Sequence, residues 1–244
     1  MTVTRCRALI RSGAVFAVLT MSLSFPTPAL AEVTTPAAAG QLVYTYAVLH
    51  PHYGEIGTFT DTIDRKPETM RIEGRLRVAV KFLGIVIYRK ETDVTAIMRD
   101  DRLISLHSVT KKGDEYLHVR GEAQGDQFVV TTTGGTFAGP ATILPSDPFV
   151  LKNTGEGTMI STDTGRISSV QVSGGEPDTV SVNGDSIYGR RFSIAGVTRR
   201  DVWLDDQGVP VMFRTVENGT PIDFVLRSTT AAASTKGPTP RALF

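Results

Sequence analysis

Residues 70–82 read MRIEGRLRVAVKF, and apolar and charged side chains alternate along this stretch. The apolar residues take even positions, namely Met70, Ile72, Leu76, Val78, Val80 and Phe82, and the charged residues take odd positions, namely Arg71, Glu73, Arg75, Arg77 and Lys81. Because successive side chains of a β-strand point to opposite faces, this period of two predicts a strand with one buried side and one solvent-facing side.

The same alternation recurs along the chain, at residues 42–48, 192–194, 202–204, 209–213 and 222–226. Turn-forming sequences such as Asn183-Gly184 and Asn218-Gly219 separate these runs, and they supply residues that tolerate positive φ. No segment has a convincing helical period. The sequence therefore predicts an all-β fold built as an antiparallel meander.

The N-terminus has the three parts of a secretory signal. Arg5, Arg7 and Arg11 precede an apolar run at residues 14–23, which is followed by Ala29-Leu30-Ala31. We therefore expect cleavage between Ala31 and Glu32 and a periplasmic or secreted protein. The predicted organisation is a signal peptide at 1–31, a single β domain at 32–227 and a disordered tail at 228–244, which is poor in large apolar residues.

Removal of the signal changes the composition of the chain. The only cysteine, Cys6, is lost, so the mature protein is expected to have neither disulfides nor a thiol nucleophile. The formal net charge moves from +1 to −2, because the signal holds three arginines and no acid. A near-neutral mature chain gives no overall electrostatic signal for nucleic acid or for an anionic membrane surface. No later stretch is long and apolar enough to predict a transmembrane helix.

Residues 134–153 interrupt the alternation. Pro140, Pro145 and Pro148 each remove a backbone donor, yet the segment also holds a group of apolar residues, namely Ile143, Leu144, Phe149, Val150 and Leu151. Long segments of this kind in a compact domain are often functional. The segment is therefore predicted to be either a fixed crossover packed over one end of the sheet or a movable lid.

Residues 78–88, VAVKFLGIVIY, form the most apolar run of the expected mature chain. Such a run predicts a strand covered on both faces, with Gly84 at a bulge or hairpin corner. Either ordinary burial or one face lining a cavity for an apolar ligand explains it. The residues expected to line the ligand site or form its lid, packed together at the mouth of the barrel, are Val80, Phe82, Ile85, Ile87, Ile143, Leu144, Phe149 and Leu151.

No motif in the sequence indicates a reaction. His50 and His52 have ligand-type side chains, but His107 and His118 lack acidic partners at metal-binding spacing. Residues 184–189 read GDSIYG, which departs from the G-x-S-x-G spacing of a nucleophile elbow. We therefore assign no catalytic residue, no cofactor site and no metal site, and we expect a protein that is not an enzyme.

The succession of strand and turn patterns resembles a known family. It includes Tyr44-Thr45-Tyr46, Gly54-Glu55-Ile56-Gly57, Phe82-Leu83-Gly84-Ile85, Asp101-Arg102-Leu103 and Asp201-Val202-Trp203-Leu204-Asp205. Over most of residues 41–227 the chain resembles exported bacterial proteins with a domain of unknown function. That family is in turn similar to the half-open β-barrels of LolA and LolB, the lipoprotein carriers.

This resemblance implies a single curved antiparallel sheet that forms a half-open or flattened β-barrel, whose concave apolar face receives acyl chains. The expected function is a periplasmic, non-enzymatic binding protein for an apolar or lipid-like ligand in cell-envelope maintenance. The alternative is a structural or assembly protein of the envelope that binds another protein by a strand edge or an apolar loop. The expected partners are accordingly a lipid or another envelope protein, and the oligomeric state is left open.

Overall fold

The computed structural model describes residues 40–151, 154–182, 184–196 and 199–231. The predicted signal peptide at 1–31 and its cleavage point lie outside the described residues, as do residues 232–244 of the predicted tail. Within the described residues, no helix is both long enough and apolar enough to cross a membrane.

The described residues form a 15-stranded sheet and one short 3-10 helix, Pro148–Val150. The strands are β1 (Gln41–His50), β2 (Gly54–Arg65), β3 (Thr69–Phe82), β4 (Ile85–Arg99), β5 (Arg102–Lys112), β6 (Glu115–Gln124), β7 (Gln127–Thr132), β8 (Gly135–Pro140), β9 (Leu144–Pro145), β10 (Gly155–Ile160), β11 (Ile167–Val182), β12 (Asp185–Ala195), β13 (Arg200–Leu204), β14 (Pro210–Glu217) and β15 (Thr220–Ala231).

The sheet is a meander whose two halves meet where β1 pairs with β15, and its order runs β8-β7-β6-β5-β4-β3-β2-β1-β15-β14-β13-β12-β11-β10-β9. Neighbouring strands are antiparallel except β9 and β10, which are parallel. The two edge strands, β8 and β9, are consecutive in sequence. Residues 141–143 connect them and span at most roughly 14 Å, so the opposite edges of the sheet must lie close together.

Side-chain contacts between the two halves also show that the sheet curls. A Cβ at Gly139 on β8 would lie 3.2 Å from the Ile167 side chain on β11. A Cβ at Gly165, before β11, would lie 2.6 Å from Thr132 on β7. Strands far apart in the sheet order are therefore neighbours in space. The predicted half-open, barrel-like all-β fold is confirmed.

The alternation in β3 is confirmed along most of its length. Ile72, Val78 and Val80 are buried in the core, whereas Arg71 and Arg75 are exposed. Leu76 is half-buried and packs against the core. Phe82 is the exception, because it is exposed at the end of the strand.

The prediction that residues 78–88 are covered on both faces is wrong. They form a β-hairpin whose corner is Leu83-Gly84, and residues 82–87 are exposed. The reason is that the neighbouring strands stop short. β2 begins to pair with β3 only at Val78, and β5 begins to pair with β4 only at Lys90. Gly84 at the hairpin corner is as expected, with φ +82°.

The predicted disordered tail begins too early in the chain. Residues 228–231 belong to β15, where Ser228 pairs with Thr45 and Ala231 pairs with Leu42. The side chains are exposed and small, so they carry little apolar signal. Backbone hydrogen bonds to β1 extend the strand, and composition alone does not reveal them.

Candidate functional site

The residues predicted to line a ligand site or form a lid fall into two groups. Val80, Ile143, Phe149 and Leu151 are buried in one core cluster, and Leu144 packs against that cluster. The ring centroid of Phe149 lies 4.5 Å from that of Tyr44 on β1. Phe82, Ile85 and Ile87 lie outside the core cluster at the exposed β3–β4 hairpin. The structure therefore does not bring the two groups together.

The Pro-rich segment contributes to the interior of the barrel. It contains β8, β9 and the 3-10 helix, and the apolar side chains at residues 143–151 belong to the core or pack against it. Asp147 caps the helix, since its carboxylate accepts a hydrogen bond of 2.9 Å from the Phe149 N–H. The Arg200 guanidinium donates to the carbonyl oxygen of Ser146. The segment thus places Asp147 inside the barrel, and its movement as a lid stays a prediction.

The connection between β10 and β11 places a second acid at the interior. Asp163 Oδ2 lies 2.9 Å from Nζ of Lys90 on β4. The hydroxyl of Ser161 donates a 2.5 Å hydrogen bond to Asp163 Oδ1, and the hydroxyl of Thr110 donates to its carbonyl oxygen at 3.2 Å. Glu217 at the end of β14 lies 3.5 Å from the same lysine nitrogen. The connection is therefore fixed to β4 by an ion pair and to β5 by a hydrogen bond.

These residues form a set of charges that we call the lumen cluster, which consists of Asp61, Lys90, Asp147, Asp163, Arg200 and Glu217. Burial favours a lower pKa for Lys90, but Asp163 and Glu217 outweigh it and raise the pKa. Burial favours a higher pKa for Asp163, but Lys90 and the Ser161 hydroxyl outweigh it and lower the pKa. Both shifts keep this pair ionised. Lys90 and Asp163 therefore form a stable ion pair at neutral pH.

Asp61 and Asp147 behave in the opposite way. Burial raises the pKa of Asp61 well above its ordinary value, and the nearby Asp147 raises it further. Burial also raises the pKa of Asp147 to about 6, although the Phe149 N–H and Arg200 oppose the shift. Among the described residues, neither carboxyl oxygen of Asp61 has a hydrogen-bond partner. The inner part of the lumen therefore shifts both carboxyl groups towards the neutral form.

Arg200 interacts electrostatically with all four acids of the lumen cluster. Burial lowers the pKa of its guanidinium, and Asp163, Asp147, Glu217 and Asp61 counteract that effect. Arg200 is half-buried, and it lines both of the cavities described below. Arg200 is thus the cation shared by the acids of the lumen cluster.

We expect Asp147→Asn to alter the pH dependence of stability. Between pH values near the ordinary aspartate pKa of 3.8 and the folded-state pKa of about 6, the folded protein binds more protons at Asp147 than the unfolded chain does. This group therefore makes stability fall as pH rises through that window. The unfolding free energy of the variant should rise little at pH 4 and by up to about 3 kcal/mol above pH 7.

Urea unfolding at pH 4, 5.5 and 7.5 measures the effect of Asp147→Asn. The asparagine oxygen still accepts the Phe149 N–H, so the helix cap is kept. Asp185→Asn, at an exposed site on β12, is the matched control and should change stability equally at all three pH values. A gain for Asp147→Asn that does not grow with pH would contradict the assignment.

Two cavities meet at the lumen cluster. The outer cavity has a volume of about 410 Å³, and four cations line it, namely Lys90, Lys112, Arg166 and Arg200. Asp163 and Glu217 are its acidic residues, so cations are in excess. Met159, Val170 and Ile194 supply apolar lining. A cavity of this size lies within the range of small-molecule sites.

The inner cavity has a volume of about 110 Å³ and is lined by Phe59, Leu76, Val94, Phe213 and Phe224 as well as by members of the lumen cluster. Lys90, Asp163, Arg200 and Glu217 line both cavities. The arrangement presents cations between an outer space with mixed lining and a small apolar inner space. Such a site suits a molecule with an acidic group and an apolar part.

Sequence analysis did not single out the lumen cluster. Its members lie between residues 61 and 217 on four strands and two connections, so no spacing motif marks them. One signal was present in the alternation itself. Asp61 falls in the same phase as Phe59 and Ile63, and Arg200 falls in the same phase as Val202 and Leu204. A charge in the apolar phase of a strand indicates a residue that faces the interior.

The histidines noted in the sequence lie away from the lumen cluster. His50 and His52 sit at the turn between β1 and β2, with ring centroids 5.7 Å apart. In the portion of the chain that the structure describes, no three side chains of the types His, Cys, Asp or Glu are placed to hold a metal ion together.

Comparisons with known proteins identify the domain and its fold. Residues 46–227 match a family described as Domain of unknown function (DUF6134). No curated protein matches the chain in sequence. The fold is similar to that in the "Crystal Structure of Beta-barrel-like Protein of Domain of Unknown Function DUF1849 from Brucella abortus", with a TM-score of 0.58 and 12% identity over 79% of this chain and 98% of that chain. At this identity the likeness shows the fold alone. The similarity to LolA and LolB stays a prediction.

Proposed function

Since the chain belongs to the family of Domain of unknown function (DUF6134), whose description names no activity, we propose a function from the geometry of its lumen. The protein is an exported, non-enzymatic binding protein of the cell envelope, and its barrel takes a lipid-like amphiphile with an acidic head group. The observation that carries this proposal is the outer cavity, where cations are in excess over acids and part of the lining is apolar.

The position of the cations supports an acidic head group. Lys90 and Arg200 lie at the junction of the two cavities, where burial strengthens their interaction with an anion. Lys112 and Arg166 line the outer cavity from exposed positions. An incoming carboxylate or phosphate would therefore meet exposed cations first and half-buried cations afterwards.

The apolar residues support a chain attached to that head group. Met159, Val170 and Ile194 come from the three neighbouring strands β10, β11 and β12, so their side chains form part of one wall. Burying a methylene group against such a surface contributes about 0.8 kcal/mol. The small inner cavity limits the chain that fits beyond Arg200, so the outer wall is the place for an alkyl chain of medium length.

Calorimetric titration with decanoate tests the proposal. Wild-type protein should bind decanoate. It should bind decanol, which has the same alkyl chain without the charge, at least about tenfold more weakly, because a charge-assisted contact contributes about 1.5–3 kcal/mol. Lys90→Gln should weaken decanoate binding by a similar factor. Arg166→Gln is a second test at an exposed residue that lines the same cavity, and it should weaken decanoate binding while leaving folding unaffected.

Lys66→Gln is the matched control, since Lys66 lies in the turn between β2 and β3 and its side chain is 66% exposed. It should leave decanoate binding unchanged. Native mass spectrometry of protein isolated from its own envelope extends the test to natural ligands. Absence of binding to both decanoate and decanol, together with the absence of a retained small molecule, would refute the proposed function.

A second candidate function, an envelope assembly protein that binds another protein by a strand edge, has one observation in its favour. Strand β8 pairs with β7 on one side and with no described strand on the other. Its residues are almost all exposed, including Phe137. Such an edge is able to accept an added strand from a partner. Thr136→Pro should remove a backbone donor there and abolish capture of a partner if this function is correct.

A further inference from the structure

The β3–β4 hairpin projects from the barrel as a two-stranded ribbon. Within the described residues, the strand ladder at residues 79–89 runs only between β3 and β4, because β2 reaches no further than Val78 and β5 no further than Lys90. At the base of the ribbon the Gly113 N–H donates to the Arg89 carbonyl oxygen. The ribbon therefore extends about 10–13 Å beyond its neighbours. At its base Val80 is buried in the core and Tyr88 packs against the core, whereas residues 81–87 are exposed.

The end of this ribbon is apolar and exposed. Its large side chains keep most of their surface in solvent: Phe82 57%, Leu83 86%, Ile85 68%, Val86 41% and Ile87 55%. Elsewhere the exposed large apolar residues are scattered, whereas these five form one continuous group. Contiguous apolar surface of this kind marks an interaction site on a soluble domain.

The turn at the end of the ribbon carries a residue that the backbone disfavours. Leu83 and Gly84 have φ values of +49° and +82°, and two-residue hairpin turns with positive φ at both positions favour Asn-Gly or Asp-Gly. A leucine in the left-handed region is sterically strained. Because its side chain is 86% exposed, packing within the chain contributes little stabilisation to offset that strain. Folding alone does not explain a leucine at this position.

The charges around the apolar group are cationic. Lys81 and Arg89 are exposed, and neither has an ion pair with any of the residues that the structure describes. The adjacent β5–β6 turn carries two lysines, Lys111 and Lys112, and two acids, Asp114 and Glu115, so its net charge is zero. The surplus positive charge therefore lies on the ribbon itself, even though the expected mature chain is close to neutral.

Two tyrosines lie at the base of the ribbon. Lys112 Nζ is 5.8 Å from the ring centroid of the half-buried Tyr88. Lys111 Nζ is 5.2 Å from the ring centroid of Tyr116, which is exposed. Tyrosine and lysine side chains, each with an apolar body and a polar end, are typical of the boundary between a membrane and water.

We propose that the β3–β4 hairpin docks the protein on an anionic phospholipid membrane, with Phe82, Leu83 and Ile85 inserted among the acyl chains and Lys81 and Arg89 at the head groups. Apolar insertion and charge attraction to anionic lipid act together in such interfacial contacts. The docking is independent of what the lumen binds. It is a reversible surface contact, because one hairpin end buries far less apolar area than a spanning segment does.

Sedimentation of the purified protein with vesicles tests the proposal. Wild-type protein should partition at least about tenfold more strongly onto vesicles of phosphatidylethanolamine and phosphatidylglycerol than onto phosphatidylcholine vesicles. The reason is that each basic residue near an anionic surface contributes about one kcal/mol, which is roughly fivefold in affinity, and the ribbon carries two such residues. Lys81→Gln combined with Arg89→Gln should remove that preference. Equal binding to both vesicles by wild-type protein would overturn the anionic assignment.

Leu83→Asn combined with Ile85→Thr tests the apolar part. Asparagine suits the left-handed turn position and threonine suits a strand, so the variant should fold at least as well as wild type. Its partition onto anionic vesicles should fall at least about tenfold. Tyr188→Thr, which removes a 61% exposed ring from β12, is the matched control and should bind as wild type does. All variants keep the same N-terminus, so their differences report on the hairpin.

Insertion has a direct readout. The chain has one tryptophan, Trp203, which is buried, so a second tryptophan introduced by Ile85→Trp reports the environment of the hairpin. Its emission should shift to shorter wavelength when anionic vesicles are added. If the emission does not shift and partition is unaffected by Leu83→Asn with Ile85→Thr, the membrane proposal fails. Crosslinking of residue 85 to a protein without vesicle binding would likewise overturn it in favour of a protein partner.

Discussion

Replacement of Val78 by aspartate is expected to unfold the protein. Val78 is 8% exposed in the core and pairs with Gly57 of β2. The strands are so close here that a Cβ at Gly57 would lie 2.8 Å from the Val78 Cα. The change loses the burial of a valine side chain, about 1.5–3 kcal/mol, and places an unpaired carboxylate in an apolar environment. The sum of about 4–6 kcal/mol is comparable with the whole stability of many domains.

Urea unfolding followed by circular dichroism, together with the soluble yield, measures the effect of Val78→Asp. Val78→Ala separates lost volume from added charge and should cost only about 2 kcal/mol. Arg75→Glu is the control on the opposite face, where the arginine side chain is 70% exposed and pairs with Asp93 at 3.2 Å. Losing that exposed pair should cost at most about 1 kcal/mol. A folded Val78→Asp protein with near-normal stability would contradict the placement of this face in the core.

Replacement of Arg200 by methionine is expected to destabilise the protein by about 3 kcal/mol at pH 7.5. Arg200 is the cation that Asp61, Asp147, Asp163 and Glu217 share, and its guanidinium also donates to the Ser146 carbonyl. Removing one partner from a buried charge cluster typically costs 3–5 kcal/mol because the remaining charges are left uncompensated. We take the lower end of that range because the cavities admit water to the guanidinium.

The loss in Arg200→Met should shrink as pH falls from 7.5 to 5. Asp147, whose pKa is already raised to about 6, takes up a proton in that range and no longer needs a counter-ion. Arg166→Met is the matched control, because Arg166 lines the same outer cavity from an exposed position. It should change stability by less than about 0.5 kcal/mol. An equal loss at both pH values would show that Arg200 stabilises by packing instead of by charge.

The β3–β4 hairpin is a place where the local sequence pattern and the tertiary structure disagree. The run from Val78 to Tyr88 has the composition of a central strand, and the sequence contains the Leu83-Gly84 corner that turns it into a hairpin. Whether the residues beyond Val80 are covered depends on how far β2 and β5 extend, and those lengths are set elsewhere in the chain. The apolar run was therefore predicted to be buried, although its end is exposed.

The sequence predicts that the Pro-rich segment is an apolar interruption of the alternation, but it does not predict the strands β8 and β9 within it. Leu144 and Pro145 form β9 only because Met159 and Ile160 of β10 lie alongside them in parallel. A two-residue strand has no period of its own, so it is defined by its partner. The burial of Ile143, Phe149 and Leu151 likewise requires the curled sheet that surrounds them.

The sequence by itself determined the all-β class, the antiparallel meander and the buried face of β3, because these follow from a period of two and from turn chemistry, which are local properties. The tertiary structure alone decided the closeness of the two sheet edges, the assembly of the lumen cluster and the exposure of the hairpin. Asp61, Lys90, Asp147, Asp163, Arg200 and Glu217 interact only because the sheet curls and brings distant strands together. Curvature is a property of the whole sheet, and no single stretch of the chain encodes it.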